Sequence, residues 1–569
     1  MISTRRVSLG MVPILHPGIR VGVLVLFLVF PPLVPNVWGA CQAHGQRRQS
    51  PPDTTPTLGL DQGLLSLDTP AFHLDLVQAS QTVAALRPKA DGGFDFTPSD
   101  WLERRDDDGY FHLGDLTLRL RQRESEGWKH YSTATARAPV EDLPVSPPSL
   151  AAAELGPTLP ATIPLTVRRY WEARDGHLAL RFELENRTGM PVEIGAVGIP
   201  LVFNNILQGR SLDEAHSVCS FSDPYIGGDA GYVQVTRLTG HGPVMLVVPL
   251  DGTPLEAYNP LLGDPTRRGV TFEGFYEWVA HSRAFMEEEW EEAEPWTPPT
   301  SATLAPGETR SYGLVFLLAA GPRSIESTLE AHGRPVAVGI PGYVLPADQE
   351  ARLFLKSPFE IRSVEVEPSG ALALTWSETN QGEWQAYDVR GLRWGRARVT
   401  VEYADGSRQL IHYKVIKPQA QVVADMGRFL TTESWYENPQ DPFGRSPSVI
   451  TYDYEERRQV TEDNRAWVAG LGDEGGGGAW LAAVMKQLVQ PDVSELAKLQ
   501  RFVDEVVWGG LHYAEGERKY GVRKSLFYYE PDSMPPGTYS EEVRYGGWSS
   551  WGKREAMSVG RSYNYPHVA

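Results

Sequence analysis

The chain has 569 residues, 41% of them hydrophobic and 22% charged, a globular composition and not that of a disordered segment or a coiled coil. Its net charge is −19, and so acidic a surface repels phosphate backbones, which argues against a nucleic-acid partner. The two cysteines, Cys41 and Cys219, allow at most one disulfide and exclude a four-cysteine zinc site.

Residues 1–43 read as an export signal. Arg5, Arg6 and Arg20 supply the positive region, 21–30 form an apolar run, and Pro31, Pro32 and Pro35 break it. Ten apolar residues are too few to span about 30 Å of hydrocarbon, which suits a cleaved leader and secretion. Gly39-Ala40-Cys41 leaves lipid anchoring open as an alternative. No later segment is expected to cross a membrane. Residues 44–60 are rich in Gln, Arg and Pro and read as a flexible stalk.

From 61 to 320 the pattern is that of strands. Residues 112–121 and 177–186 alternate apolar and polar side chains, and 190–195 repeat this over a shorter stretch. Residues 244–250 and 312–318 are continuous apolar runs, as expected of buried strands. With 55 glycines and 45 prolines in the chain to make turns, the segment predicts a large antiparallel β-sandwich. Residues 287–294 hold six glutamates; they read as a solvated loop or short helix face, with calcium binding as the alternative. Residues 321–340 predict a short helical connector. Residues 341–420 predict a small immunoglobulin-like β unit, with a hairpin over 398–416 turning at Asp405-Gly406. Beyond 420, apolar residues at helical spacing predict helices over 422–430, 479–488 and 494–507, with Ser494 as an N-cap.

Three motif resemblances fail on their surroundings. GLGDEG (470–475) matches G-x-G-x-x-G but lacks the long strand before it, and it would set Asp473 and Glu474 against a pyrophosphate. GWSSWGK (547–553) has Arg554 where a P-loop has Ser or Thr. Neither H-E-x-x-H nor G-x-S-x-G occurs. Nothing in the sequence calls for a cofactor or a metal.

What remains is a polar and aromatic region from 433 to 569, which holds six of the 16 tryptophans. Aromatic rings take the C–H faces of sugars, and Asp, Glu, Asn and His take their hydroxyls, so the region suits a polysaccharide or oligosaccharide. Paired carboxylates are what glycoside hydrolysis requires. Asp473 and Glu474 precede a glycine run at a helix start, where backbone freedom and the helix dipole favour an exposed anionic pair; they are the first candidates for catalysis. Asn564 and His567 are further catalytic candidates. Trp435, Tyr436, Glu437, Asp441, Asp453, Trp548, Trp551 and Tyr563 are candidates for substrate binding.

The strings MPVEIGAVGIPLVFNN (190–205), GLGDEGGGGAWLAA (470–483), GGWSSWG (546–552) and SYNYPHVA (562–569) resemble a family of large secreted proteins of unknown function, grouped with six-hairpin glycosidases. The resemblance implies a β-supersandwich followed by an (α/α)6 toroid over 421–569. Twelve helices at roughly 15 residues each, plus loops, exceed the residues available after 420. The toroid is therefore expected to be partial, and the chain shortened relative to the family. The function expected is a secreted glycoside hydrolase, inactive if the toroid is too incomplete. One alternative is a polysaccharide lyase, for which Tyr563, Asn564 and His567 supply a base and a carboxylate-neutralising group. Another is a non-catalytic carbohydrate-binding surface protein.

Overall fold

The computed structural model describes residues 57–91, 93–250, 252–269, 271–381, 383–462, 477–545 and 550–560. The leader, Cys41 and most of the stalk lie outside these residues. Cys219 is buried and forms no disulfide among the described residues.

Two large antiparallel sheets face each other. The eight-stranded sheet runs, in spatial order, Ser220–Tyr225, Tyr232–Arg237, Val244–Pro249, Thr309–Ala319, His177–Asn186, Leu165–Arg174, Ser149–Glu154 and Glu141–Asp142. The six-stranded sheet runs Ala257–Pro260, Tyr276–Val279, Val192–Leu201, Thr117–Arg121 and Lys129–Ser132, and Ala302–Leu304 also pairs with Val192–Leu201. A third sheet, Leu64–Asp68, Phe72–Val77 and Val83–Pro88, adds Phe72, Leu74, Leu76, Val83 and Leu86 to the same core.

The alternation over His177–Asn186 sends Leu178, Leu180, Phe182 and Leu184 into that core. Glu183 and Glu185 face outward and pair with Arg168 of the neighbouring strand at 2.9 and 2.8 Å. Alternation of this kind fixes register, because a one-residue slip would bury the charges. Val244–Pro249 has no polar face because both sides are covered. Met245 and Val247 join the sandwich core, while Val244, Leu246 and Val248 meet Ile325 and Leu329 of the helix Ile325–Ala331. The segment read as a helical connector thus holds that helix and then the strand Val336–Ile340.

Two four-stranded sheets follow. One is Val336–Ile340, Glu350–Lys356, Trp384–Gly391 and Leu372–Gln381; the other is Val344–Pro346, Arg408–Ile416, Gly395–Tyr403 and Ile361–Glu367. Leu353, Leu355, Val399, Val401, Ile411 and Val415 pack between them. The hairpin turns at Asp405-Gly406 with Gly406 at φ 87°, and the Asp405 carboxylate accepts from Ser407 N at 3.0 Å.

The loop following the edge strand Ser220–Tyr225 is joined to this hairpin largely through its main chain. Leu410 N donates to Gly227 O at 3.1 Å, Asp229 N donates to Arg408 O at 3.1 Å, and Arg408 N donates to the Asp229 carboxylate at 3.0 Å. Gly228 sits at φ 66°, and a Cβ there would stand 3.4 Å from Arg408 O. The position therefore favours glycine on conformational grounds, while a Cβ would make only ordinary contact.

After residue 416 the described residues contain the helices Gln419–Thr431, Gly477–Val489 and Val493–Phe502 and a short one, Lys553–Ala556. Leu430, Trp480, Ala483, Leu499 and Phe502 form their shared core. The third helix is capped by Asp492, not Ser494: its carboxylate accepts from Ser494 N at 2.9 Å and Glu495 N at 3.0 Å. A carboxylate at that place satisfies two free N–H groups and also meets the positive end of the helix dipole. The molecule is thus a β-rich, multi-unit chain with a helical segment. Among the described residues no helix is long and apolar enough to cross a membrane.

Candidate functional site

Asp473, Glu474, Asn564, His567, Trp548 and Tyr563 lie outside the described residues. The other sequence-derived candidates have definite surroundings. Trp435 and Tyr436 form a two-residue strand paired with Ser448–Val449. The Trp435 ring packs in the helical core, its Nε1 donates to Glu437 Oε2 at 3.1 Å, and the Lys498 ammonium lies 5.3 Å from the ring centre. Tyr436 turns its hydroxyl to Asp441 Oδ1 at 3.1 Å.

Arg445 grips the same carboxylate. Its Nη2 donates to Oδ1 at 2.7 Å, its Nε to Oδ2 at 3.1 Å and its backbone N to Oδ2 at 2.7 Å. The two side chains are 3% and 1% exposed, and the guanidinium lies 4.8 Å from the Phe443 ring and 5.6 Å from that of Phe527. Burial alone would raise the Asp441 pKa, but the hydrogen bonds and charge of Arg445 outweigh it and hold the carboxyl below its usual value. Tyr436, Asp441 and Arg445 are thus one buried knot. Trp551, half-buried, packs in the adjoining aromatic cluster with Phe443, Phe527 and Tyr545.

Glu437 is exposed and accepts from Arg501 Nη1 at 2.9 Å; that bond and the one from Trp435 lower its pKa. Asp453 belongs to a separate hairpin, where its Oδ1 accepts from Glu455 N and Glu456 N, both at 2.9 Å. The glutamates of 287–289 are engaged too. Glu287 Oε2 accepts from Arg121 Nη1 at 2.9 Å, and Glu288 Oε2 accepts from Arg119 Nη1 at 3.0 Å.

Inside the sandwich, Glu256 accepts from Ser282 Oγ at 2.8 Å and from the Thr300 hydroxyl; His281 Nδ1 lies 2.7 Å from the same Thr300 Oγ1, and its Nε2 lies 3.0 Å from the Tyr312 hydroxyl. Burial pushes Glu256 up to about 7 and His281 down to about 4. Both groups are enclosed, and Glu256 is only 5% exposed, so this network braces the sheet.

An open site apart from the sequence-derived candidates lies between the 3-10 turn Ser99–Arg105 and the loop 265–269. The 3-10 turn Ser99–Arg105 places Trp101 and Arg104 one turn apart on one side, with the Arg104 guanidinium 4.8 Å from the Trp101 ring centre. Arg105 turns inward: its Nη2 donates to Phe111 O at 2.6 Å and to Asp264 Oδ2 at 3.1 Å. Burial lowers its pKa to about 10, which leaves it charged at neutral pH. Asp264 also accepts from Thr266 N at 2.9 Å, which anchors the loop carrying Arg267 and Arg268. Together these segments bound a groove of about 580 Å³.

Four arginines and no acidic residue line that groove. Arg104, Arg267 and Arg268 are exposed, and among the described residues none of them forms an ion pair. Elsewhere in this acidic chain Arg119, Arg121, Arg168 and Arg181 are each held by one or more glutamates. Guanidinium groups grip carboxylates and sulfates in a bidentate fashion, and Trp101 adds a ring to carry an apolar face. The arrangement fits an anionic sugar. The signal visible beforehand was the pair of doublets Arg104-Arg105 and Arg267-Arg268.

Residues 75–569 match the Family of unknown function (DUF5695), and the chain belongs to that family. Among curated proteins no sequence matches it. Among solved structures it is similar to a polysaccharide lyase, with a TM-score of 0.62 and 15% identity over 80% of this chain and 62% of the other. The chain therefore spans less than two thirds of the length of that lyase. A galactose mutarotase-like protein from Lactobacillus casei ATCC 334 aligns over 45% of this chain and 100% of its own, with 11% identity and a TM-score of 0.27. A galactose mutarotase-like protein from Clostridium acetobutylicum aligns over 45% and 95%, with 8% identity and a TM-score of 0.29. At these identities the likeness to the lyase is one of fold.

Proposed function

We propose that this member of a family of unknown function is a carbohydrate-active protein that engages an acidic polysaccharide, and that the groove lined by Arg104, Arg267, Arg268 and Trp101 holds the glycan. The observation that carries the reading is the set of exposed arginines with no ion pair among the described residues, on a chain of net charge −19. Such a cluster repels itself and is relieved by an anionic ligand. The fold likeness to a polysaccharide lyase supports the same class of ligand. We read the helices after 416 as part of an (α/α)6 toroid of the six-hairpin type, and residues 1–43 as a leader that sends the protein to where polysaccharides are met.

The reaction this reading favours is β-elimination. A uronic carboxylate acidifies the neighbouring C–H, and a cation neutralises the charge that develops when a base removes the proton. Tyr563, Asn564 and His567 are the groups we propose for that step. Hydrolysis through Asp473 and Glu474 is the competing chemistry. Incubation with polygalacturonate, alginate and hyaluronan, read both by ultraviolet absorbance of unsaturated uronates and by new reducing ends, separates the two. Reducing ends with absorbance support elimination; reducing ends without it mean hydrolysis. If no acidic polymer binds or reacts, the proposal fails.

A further inference from the structure

A second groove, of about 380 Å³, lies where residues 294–298 of the sandwich meet the outer face of the hairpin Gly395–Tyr403 and Arg408–Ile416. Its chemistry is the opposite of the arginine groove. Strand alternation places Ala397, Val399 and Val401 in the core, which leaves Arg396 and Arg398 on the outward side, with His412 directly across the ladder from Arg398. Each cation is already matched. Arg398 pairs with Glu367, and Arg396 donates to Glu294 O at 2.7 Å with its Nε 3.6 Å from the Glu294 carboxylate. The groove therefore offers fixed donors and acceptors with no net charge.

Over it stands Trp296, 50% exposed although its neighbours hold it in place. The Arg396 guanidinium lies 4.9 Å from its ring centre, and the His412 ring meets it edge-on at 5.0 Å. His412 Nε2 lies 3.1 Å from Ile226 O. Burial lowers the His412 pKa to about 4, so the ring is neutral at physiological pH. A neutral ring that donates through Nε2 to that carbonyl keeps a lone pair on Nδ1 as an acceptor. A half-open indole, paired arginine and carboxylate groups and a fixed imidazole acceptor form a set that suits a flat, hydroxyl-rich, uncharged ligand. The indole takes a C–H face, and the polar groups take hydroxyls.

We infer that this seam groove is a binding subsite for a neutral sugar residue, separate from the arginine groove and independent of the proposal made for it. The volume admits a short oligosaccharide segment.

Isothermal titration calorimetry of the full chain with neutral hexasaccharides of glucose, mannose, galactose and xylose tests this. At least one is expected to bind. Trp296→Ala should weaken that binding by about tenfold or more, and Trp296→Phe, which keeps a ring, should hold it within about threefold of wild type. The double variant Arg267→Glu/Arg268→Glu should leave it unchanged, which separates failure here from failure at the other groove. The inference is overturned if none of the four binds, if Trp296→Ala binds as wild type does, or if Trp296→Phe loses binding as fully as Trp296→Ala. Should Trp296→Ala not fold, the Phe variant together with His412→Ala decides, the latter also being expected to weaken binding.

Discussion

Replacing Asp441 by Asn separates the two roles its sequence context suggests. In the fold the carboxylate receives three bonds from Arg445 and one from Tyr436, with almost no solvent access. An amide keeps one acceptor oxygen and turns an NH2 group toward the remaining donors. It also removes the Asp441 charge that faces the guanidinium lying among Phe443, Tyr436 and Phe527. Breaking a buried pair in this way costs about 3–5 kcal/mol. At a urea slope of about 2 kcal/mol/M, the midpoint for the helical segment should fall by roughly 1.5–2.5 M. Tryptophan fluorescence reports this, since Trp435 and Trp480 sit in that core. The pH dependence has a definite sign. Because the folded carboxyl titrates below its usual 3.8, the stabilisation is fully present above that value and is lost as pH falls through the folded pKa. The gap between wild type and variant should therefore narrow in acid. If Asp441→Asn unfolds like wild type but no longer binds glycan, the buried-pair argument is wrong and Asp441 belongs to a binding site.

Three other outcomes follow from the packing and charge. Glu256 has a folded pKa of about 7 against 4.5, so its contribution is present below about pH 4.5 and is lost as pH rises toward 7. The stability of Glu256→Gln relative to wild type should therefore improve across that window, by up to about 3 kcal/mol, as read by denaturation at pH 4.5, 6 and 7.5. Gly198→Ala should destabilise the sandwich by about 1–3 kcal/mol, seen as a lower melting temperature, because a methyl there overlaps the buried Glu277 carboxylate and the Thr117 hydroxyl bonded to it. Arg267→Glu/Arg268→Glu should weaken polygalacturonate or hyaluronan binding by roughly 10- to 100-fold at low salt and flatten its salt dependence, with no change in melting temperature.

Much of the β architecture was legible because burial there is periodic. His177–Asn186 has one dry and one wet face and reads as a strand from alternation alone. Val244–Pro249 reads as buried because a helix covers its second side. The N-cap was misplaced by two residues because Asp492 and Ser494 are both competent caps, and only the chain path after Pro491 selects between them. The site was harder to read because polarity carries no label of wetness. Tyr436, Asp441 and Arg445 have the composition of a sugar site, yet they bond one another in a buried knot. The arginine groove was invisible for the converse reason. The sequence shows 53 Lys and Arg residues as equals. Which of them lack a partner depends on elements more than a hundred residues away, as with Arg119 on its strand and Glu288 on the helix Arg283–Glu288.

The main-chain junction between the loop after Ser220–Tyr225 and the hairpin at 408–412 has a consequence for dissecting the molecule. A junction of side chains can slide, but one in which Gly227, Asp229, Arg408 and Leu410 exchange backbone bonds is a weld. A fragment ending before the small β unit would bare those groups beside an edge strand and invite pairing with a second copy. The walls of the Trp296 groove are carried by the two welded parts, so its width is set when the chain folds and a ligand finds it already open.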